Sequence, residues 1–183
     1  NSELEGMPFL QTVRNEPKLE NITGKNKTEE EIREFSKKLF DIKDEIEIDI
    51  SKSGDGAEIP FYTVFYEDGK RVYMDITEKG GHPITIIVDR PIKEAKLSLN
   101  DGYAIAEHYL KQFGYEKLQL LHSQQFDREG VYTFIPIQDD VRIFPDKLTV
   151  KVALDNGDIM GLNAKEYLYN NRERKLEKPA LSL

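Results

Sequence analysis

The 183-residue chain contains no cysteine, no tryptophan and only three histidines. Without thiols, disulfide staples, thiolate metal sites and cysteine nucleophiles are excluded together, and the redox compartment stays open. Histidine is the commonest general base near neutral pH, yet His82, His108 and His122 show no metal-ligand spacing, and neither HExxH nor GxSxG occurs. The longest apolar run, Ile84 to Val88, is far shorter than the roughly 20 residues that span a bilayer. Residues 1–10 lack the basic start and apolar centre of a secretion signal. There is no Lys/Arg-rich run, and 26 basic against 34 acidic residues leave a net charge of −8, which removes the electrostatic basis for nucleic-acid binding. The expected partners therefore include no nucleic acid and no membrane contact by these residues. An opening Asn instead of Met reads as a piece of a longer protein.

What is present suffices for a folded core. Ile, Leu, Val and Phe make up 51 of the 183 residues, above the roughly 20% below which chains tend to stay disordered. The chain also repeats itself. Arg90 to Leu99 (RPIKEAKLSL) and Arg174 to Leu183 (RKLEKPALSL) share an Arg, an aliphatic residue and a closing Leu-Ser-Leu at an offset of 84.

The first Leu-Ser-Leu opens a helix. Ser98 followed by Asp101 is a capping box, and Leu99, Tyr103, Ala106, Leu110 and Phe113 recur on one helical face before a stop at Gly114. Seventy residues earlier Thr28 and Glu31 make the same box, with Ile32, Phe35 and Leu39 as the stripe. Strand signals follow each helix. In the first half they are the alternation Ile46, Ile48, Ile50, then Phe61 to Tyr66, a turn at 67–70, Val72 to Ile76 and, after Gly80-Gly81, Ile84 to Val88. In the second they are Leu118 to Leu121, Val131 to Ile137, Leu148 to Leu154, an Asn156-Gly157 turn and Ile159 to Leu162, with a short helix expected at 165–171. The expected fold class is α+β, with tandem small modules, each a helix packed on an antiparallel sheet of about four strands. Residues 1–26 read as leader or linker, 27–96 as module one, 97–178 as module two and 179–183 as the start of a truncated third; the charged, Pro-containing stretch 89–96 suggests a mobile connection, and rigid packing of the two units is the alternative.

Searches for chemistry find bland explanations. The acidic clusters Asp41 to Asp49 and Asp139-Asp140 suit a solvated helix end, an edge strand and a turn better than an acid/base pair. Asp49, Ser51, Ser53 and Gly54 begin like a calcium loop, but Pro60 stands where the closing bidentate Glu would be. No glycine pattern forms a phosphate cradle. Asn21-Ile22-Thr23 and Asn26-Lys27-Thr28 are glycosylation sequons, which carry meaning only in a chain that meets a glycosylation machinery. Aromatic residues are better evidence for binding. Phe61/Thr63/Phe65 and Tyr62/Val64/Tyr66 must face opposite sides of one strand, so one aromatic set should meet solvent, a neighbouring module or a partner. Tyr62, Tyr66, Tyr73, Tyr167 and Tyr169 are the candidate partner or inter-domain surface, because tyrosine buries area while keeping a polar handle. No catalytic, cofactor-binding or metal residues are expected, so the residues favour a binding protein over an enzyme.

Ser98, Asp101, Ala106, Leu110 and Gly114, followed by strands and the hairpin Leu154 to Ile159, resemble the PepSY module, a helix-plus-sheet repeat of peptidase propeptides and bacterial spore-germination proteins. Ile143 to Gly157, Tyr167-Leu168 and the 174–183 boundary are similar to the C-terminal region of those spore proteins. The sequence departs from the module pattern at Ile32, Ser36 and Gly102, where small residues or alanine are usual. The resemblance implies a location on the outer side of the inner spore membrane, with a membrane anchor in a preceding segment. It also implies a partner, a cortex-lytic hydrolase of the SleB type that the protein stabilises, localises or inhibits. The alternatives are a homodimer or a structural segment whose partner binding lies elsewhere.

Overall fold

Both helices start as their sequences demand. In the computed structural model, which describes residues 22–170, α1 (Glu29–Phe40) is capped by Thr28 and α2 (Leu99–Gln112) by Ser98. The Thr28 hydroxyl accepts the Glu31 N–H at 3.2 Å and the Glu31 carboxylate accepts the Thr28 N–H at 3.1 Å. Ser98 and Asp101 repeat the exchange at 3.1 and 2.9 Å. Burial follows the same offset of seventy, since Ile32, Ser36 and Phe40 of α1 are buried at the positions of Gly102, Ala106 and Leu110 of α2. The departures from the small-residue pattern are accommodated locally. The Ser36 hydroxyl donates to the Ile32 carbonyl at 2.8 Å, and Gly102 leaves room for the Tyr132 hydroxyl, which a Cβ would approach to 2.1 Å.

After α1 come β1 (Asp49–Lys52), β2 (Phe61–Glu67), β3 (Arg71–Thr77) and β4 (Pro83–Asp89). After α2 come β5 (Leu118–Phe126), β6 (Glu129–Gln138), β7 (Val141–Arg142), a single turn of tight helix at Phe144–Asp146, β8 (Leu148–Ala153) and β9 (Ile159–Asn163). Residues 165–170 are helical. The pairings are all antiparallel, and the sheet order is β1-β2-β3-β4-β9-β8-β6-β5, with β7 on β6. The fold is therefore α+β, as expected, but the two units share one sheet. The final strand of each unit pairs with the other, Thr85 opposite Asn163, Ile86 opposite Leu162 and Ile87 opposite Gly161. Antiparallel pairing of equivalent strands relates the halves by an approximate two-fold axis through the sheet.

This join merges the two cores. Val64, Met74, Ile86, Leu162, Val150 and Tyr132 form one cross-strand row through both halves, and every member is buried beneath the helices. Both helices lie on this face, where the Phe35 and Phe113 rings meet at 6.4 Å. On the opposite face runs the row Phe65, Tyr73, Ile87, Gly161, Lys151, Val131, in which Tyr73, Lys151 and Ile87 are exposed, Ile87 to 56%, while Phe65 and Val131 are half-buried and Gly161 is covered. Joining the last strands also protects two edges that would otherwise offer unpaired backbone groups.

The connection between the units is held down by hydrogen bonds, which favours rigid packing over a swing about residues 90–96. The Arg90 guanidinium grips Asp155 in the β8–β9 turn through both terminal nitrogens, at 2.9 and 3.1 Å, and also reaches Asn156 at 3.0 Å. The Lys93 N–H donates to Asp155, and the Lys96 and Leu97 N–H groups donate to the Leu154 carbonyl, each at 2.9 Å. Arg128 donates to the Ile92 carbonyl at 3.1 Å. Swinging the units about residues 90–96 would break these bonds together. The leader up to residue 21 and the boundary from 174 onward, including the start of a third module, lie outside the described residues.

Candidate functional site

The two-fold arrangement makes a groove from equivalent positions. Phe35 and Leu39 of α1 face Ile105 and Tyr109 of α2, with Phe113 closing one end, around a cavity of about 610 Å³. Phe35, Leu39, Ile105 and Tyr109 stand on each helix one step round from the buried stripe, so they are half-buried against the edge of the core, while Phe113 is fully buried. Lys38 and His108 stand at the rim. The groove continues past Phe35 and Phe113 into a second depression of about 540 Å³ floored by Gly81, His82 and Gly114, with Glu30, Glu31 and Glu34 along one wall. The surface is thus apolar along the middle and charged at its sides, the layout expected of a protein-binding groove.

His82 ties the groove floor to both units. Its ring is buried, with Nδ1 2.6 Å from the Phe113 carbonyl. Its Nε2 lies against Thr23, 2.9 Å from the carbonyl and 3.3 Å from the N–H. The Thr77 hydroxyl accepts the His82 N–H at 2.8 Å, and the ring stacks on Tyr115, whose hydroxyl donates to the Pro83 carbonyl. Gly80 and Gly114 permit this packing, because both have positive φ and a Cβ on either would come within 3 Å of the imidazole. The sequence held one trace of this arrangement, the Gly-Gly pair directly before the histidine.

The tyrosine set divides. Tyr62, Tyr66 and Tyr167 are 7%, 2% and 3% exposed, so of the two expected roles, partner surface or inter-domain packing, burial leaves these three only the second. Tyr62 and Tyr66 belong to the inward face of β2, and the Tyr62 hydroxyl donates to the Lys27 carbonyl at 2.8 Å. Tyr66 does sit between the units, near Asn156 and Asp158 of the β8–β9 turn. Burial pushes its phenol well above the ordinary range, helped by Asp68, Asp158 and Asp41. Tyr167 packs edge-on to Tyr115 at 5.3 Å. Tyr73 alone is clearly on a surface, 36% exposed on the open sheet face, its hydroxyl donating to Asp75 at 2.9 Å. Tyr169 is half-buried beside the core. The set is not one patch, and the helix groove, which the sequence reading did not single out, is the larger concave surface.

Among the described residues no group of three or more His, Asp or Glu side chains is placed to hold a metal ion, and no helix is long and apolar enough to cross a membrane. His108 stands at the groove rim and His122 on the exposed edge strand, far apart in the sheet order from His82.

Two capped helices laid on one shared antiparallel sheet, each followed by its own strands, define a protein of tandem PepSY modules. The particular family follows from sequence comparison. A family model described as YpeB sporulation, PepSY1 and PepSY2 domains, matches residues 2–177, and the chain belongs to this family. It is 42% identical over 163 residues to sporulation protein YpeB of Oceanobacillus iheyensis, a match covering 88% of this chain and 36% of the relative. It is 35% identical to sporulation protein YpeB of Bacillus subtilis, over 97% of this chain and 40% of that one. Among solved structures, the Bacillus megaterium YpeB C-terminal domain superposes with a TM-score of 0.71 at 34% identity, covering 80% of this chain and 67% of that domain. The chain thus spans about two-fifths of the length of its curated relatives, which are named as sporulation proteins and not as enzymes.

Proposed function

We propose that these two joined modules form a non-catalytic protein-binding platform that holds a spore cortex-lytic, peptidoglycan-cleaving hydrolase of the SleB type, stabilising, localising or inhibiting it. The observation that carries this reading is the groove between α1 and α2. It is built from equivalent apolar residues of both units and kept open by a rigid shared sheet, so a partner would meet a preorganised surface at low ordering cost. Membership of a sporulation family supports a spore setting, and the resemblance of the module to those of peptidase propeptides supports restraint of a hydrolytic partner. The test is cortex digestion by the purified hydrolase with and without this chain, alongside titration calorimetry. Binding that is lost in Phe35→Glu/Ile105→Glu is expected, and absence of both binding and any rate change would overturn the reading.

A second reading, self-association through the sheet, has its own observation. The β5 edge is nine residues long and carries no Asp, Glu, Lys or Arg, whereas native edges are usually blunted by charge or shortness, as β1 is. Light scattering across protein concentration separates the two: a concentration-dependent dimer without affinity for the hydrolase favours this one.

A further inference from the structure

The open sheet face carries a polar row beside Tyr73 and Ile87. Cross-strand pairing sets Thr63, Asp75, Thr85, Asn163, Thr149 and Thr133 side by side through both units, and none of the six is buried. At about 4.8 Å per strand the row runs roughly 24 Å. Charged residues make up 33% of the chain, and a merely solvated face carries its share, as α1 does with Glu29, Glu30 and Glu34. In this row the only charge is Asp75, whose two oxygens already accept from the Thr63 and Tyr73 hydroxyls at 2.7 and 2.9 Å. Midway along it, where β4 meets β9, a depression of about 460 Å³ is lined by Thr85, Thr149 and Asn163 together with Ile87, Lys151 and Lys165. Both lysines are exposed, and neither has an ion-pair partner among the described residues. Glu129 is the one carboxylate at the depression, so the local charge is positive on a chain whose net charge is −8.

We propose that this face binds an acidic glycan: a chain of acetamido sugars bearing carboxylates, the chemistry of a peptidoglycan strand. Sugar hydroxyls and acetamido groups both donate and accept hydrogen bonds, and so do the threonine hydroxyls and the asparagine amide of the row. The apolar faces of sugar rings need a flat apolar strip, which Tyr73 and Ile87 offer in the next row. A carboxylate carried by the sugar meets Lys151 and Lys165, whose ammonium groups have donors to give and no other anion to serve. The excess of one positive charge suits isolated carboxylates on a neutral backbone; a phosphate chain would meet the repulsion of the whole acidic molecule. The face lies on the side of the sheet away from the helices, so a glycan here and a protein in the helix groove can be held together. The inference goes beyond the reading of the groove and stands whether or not the groove takes a hydrolase.

The test is titration of the 183-residue chain with soluble disaccharide-peptide fragments of peptidoglycan, followed through the backbone NMR signals of Thr85, Thr149, Lys151 and Asn163. Chitohexaose supplies the acetamido sugars without carboxylates, and the free stem peptide supplies the carboxylates without sugar. Saturable shifts on this face are expected with the fragments, at least ~5-fold weaker binding with chitohexaose, and none with the peptide. Lys151→Gln, an exposed change that should leave the unfolding midpoint in place, should bring the affinity for the fragments down to that for chitohexaose. Thr149→Val should weaken both ligands. No saturation up to about 10 mM of the fragments, equal affinity for the free peptide, unchanged affinity in both variants, or shifts confined to Phe35 and Ile105 in the helix groove would each overturn the proposal.

Discussion

Replacing Asp155 by asparagine tests whether the two units form one rigid body. Asp155 and Arg90 are among the least exposed charged pairs of the molecule, with side chains 8% and 13% exposed. Asp155 accepts two guanidinium bonds and the Lys93 N–H. The Arg90 guanidinium first, and the backbone bonds after it, hold its carboxyl at about 2, down from 3.8. At about 1.4 kcal/mol per unit, and after allowing for screening near the surface, the ionised form contributes about 1–2 kcal/mol. This share is fully present above the ordinary carboxylate value and is lost as pH falls through about 2, because the folded protein releases the proton more readily than the unfolded chain. The amide of the Asp155→Asn variant cannot carry the charge and leaves Arg90 largely buried without its main counter-ion, so the full loss should be larger, about 2–4 kcal/mol, moderated by Asp158 at 3.4 Å. For a chain of this size the melting temperature should fall by roughly 5–10 °C. Thermal unfolding at neutral pH measures the loss, and the gap between the variant and the parent should close as the pH approaches 2. Hydrogen exchange at Lys93, Lys96 and Leu97 should accelerate in the variant. A variant within about 0.5 kcal/mol of the parent, with unchanged exchange, would refute a pinned linker.

Other outcomes follow from the packing. Gly102→Ala should destabilise by at least ~1 kcal/mol even though alanine is the better helix former, because its Cβ would meet the Tyr132 hydroxyl at 2.1 Å; Tyr132→Phe in the same chain should recover part of the loss in denaturant melts. His82→Ala should cost about 2–4 kcal/mol, since it empties a buried position and strands the Phe113 carbonyl, and the loss should appear in the urea midpoint. Gly114→Ala should cost more than ~1 kcal/mol, because φ is +86° and the new methyl would meet the His82 ring at 2.7 Å. In contrast, Tyr73→Ser, on the open face, should leave the midpoint within about 1 kcal/mol.

Much of the fold was legible because it is written in local grammar. Both capping boxes, the Asp68-Gly69 and Asn156-Gly157 turns and the alternating strands β3 and β8 fall where periodicity and turn chemistry place them. Two elements were misread for identifiable reasons. Ile46 and Ile48 alternate like a strand, yet β1 begins at Asp49. The segment before it wraps under α1, where Ile42 and Ile48 are buried and the Ile48 carbonyl accepts from Arg33 at 2.9 Å instead of from a neighbouring strand. In β5, Ser123 to Gln125 hide a strand that continues to Phe126, because beyond Leu120 this edge strand has no buried residue and so needs no alternation.

The site was less legible for a physical reason. Tyrosine composition pointed to β2 and the 165–170 helix, but one strand's two faces look alike until it is known which of them the helices cover. The amino-acid sequence determined by itself the repeated helix-and-strand unit, the absence of thiol chemistry, the capping and turn residues and the family. Only the tertiary structure decided that the last strands pair across the units, that Arg90 locks to Asp155, and that equivalent faces of α1 and α2 enclose a groove. These depend on contacts between residues some 60 to 80 positions apart, such as Arg90 with Asp155 and Ile86 with Leu162. No local pattern encodes them, because each partner is equally at home in a solvated turn or an ordinary strand until the two halves close on each other.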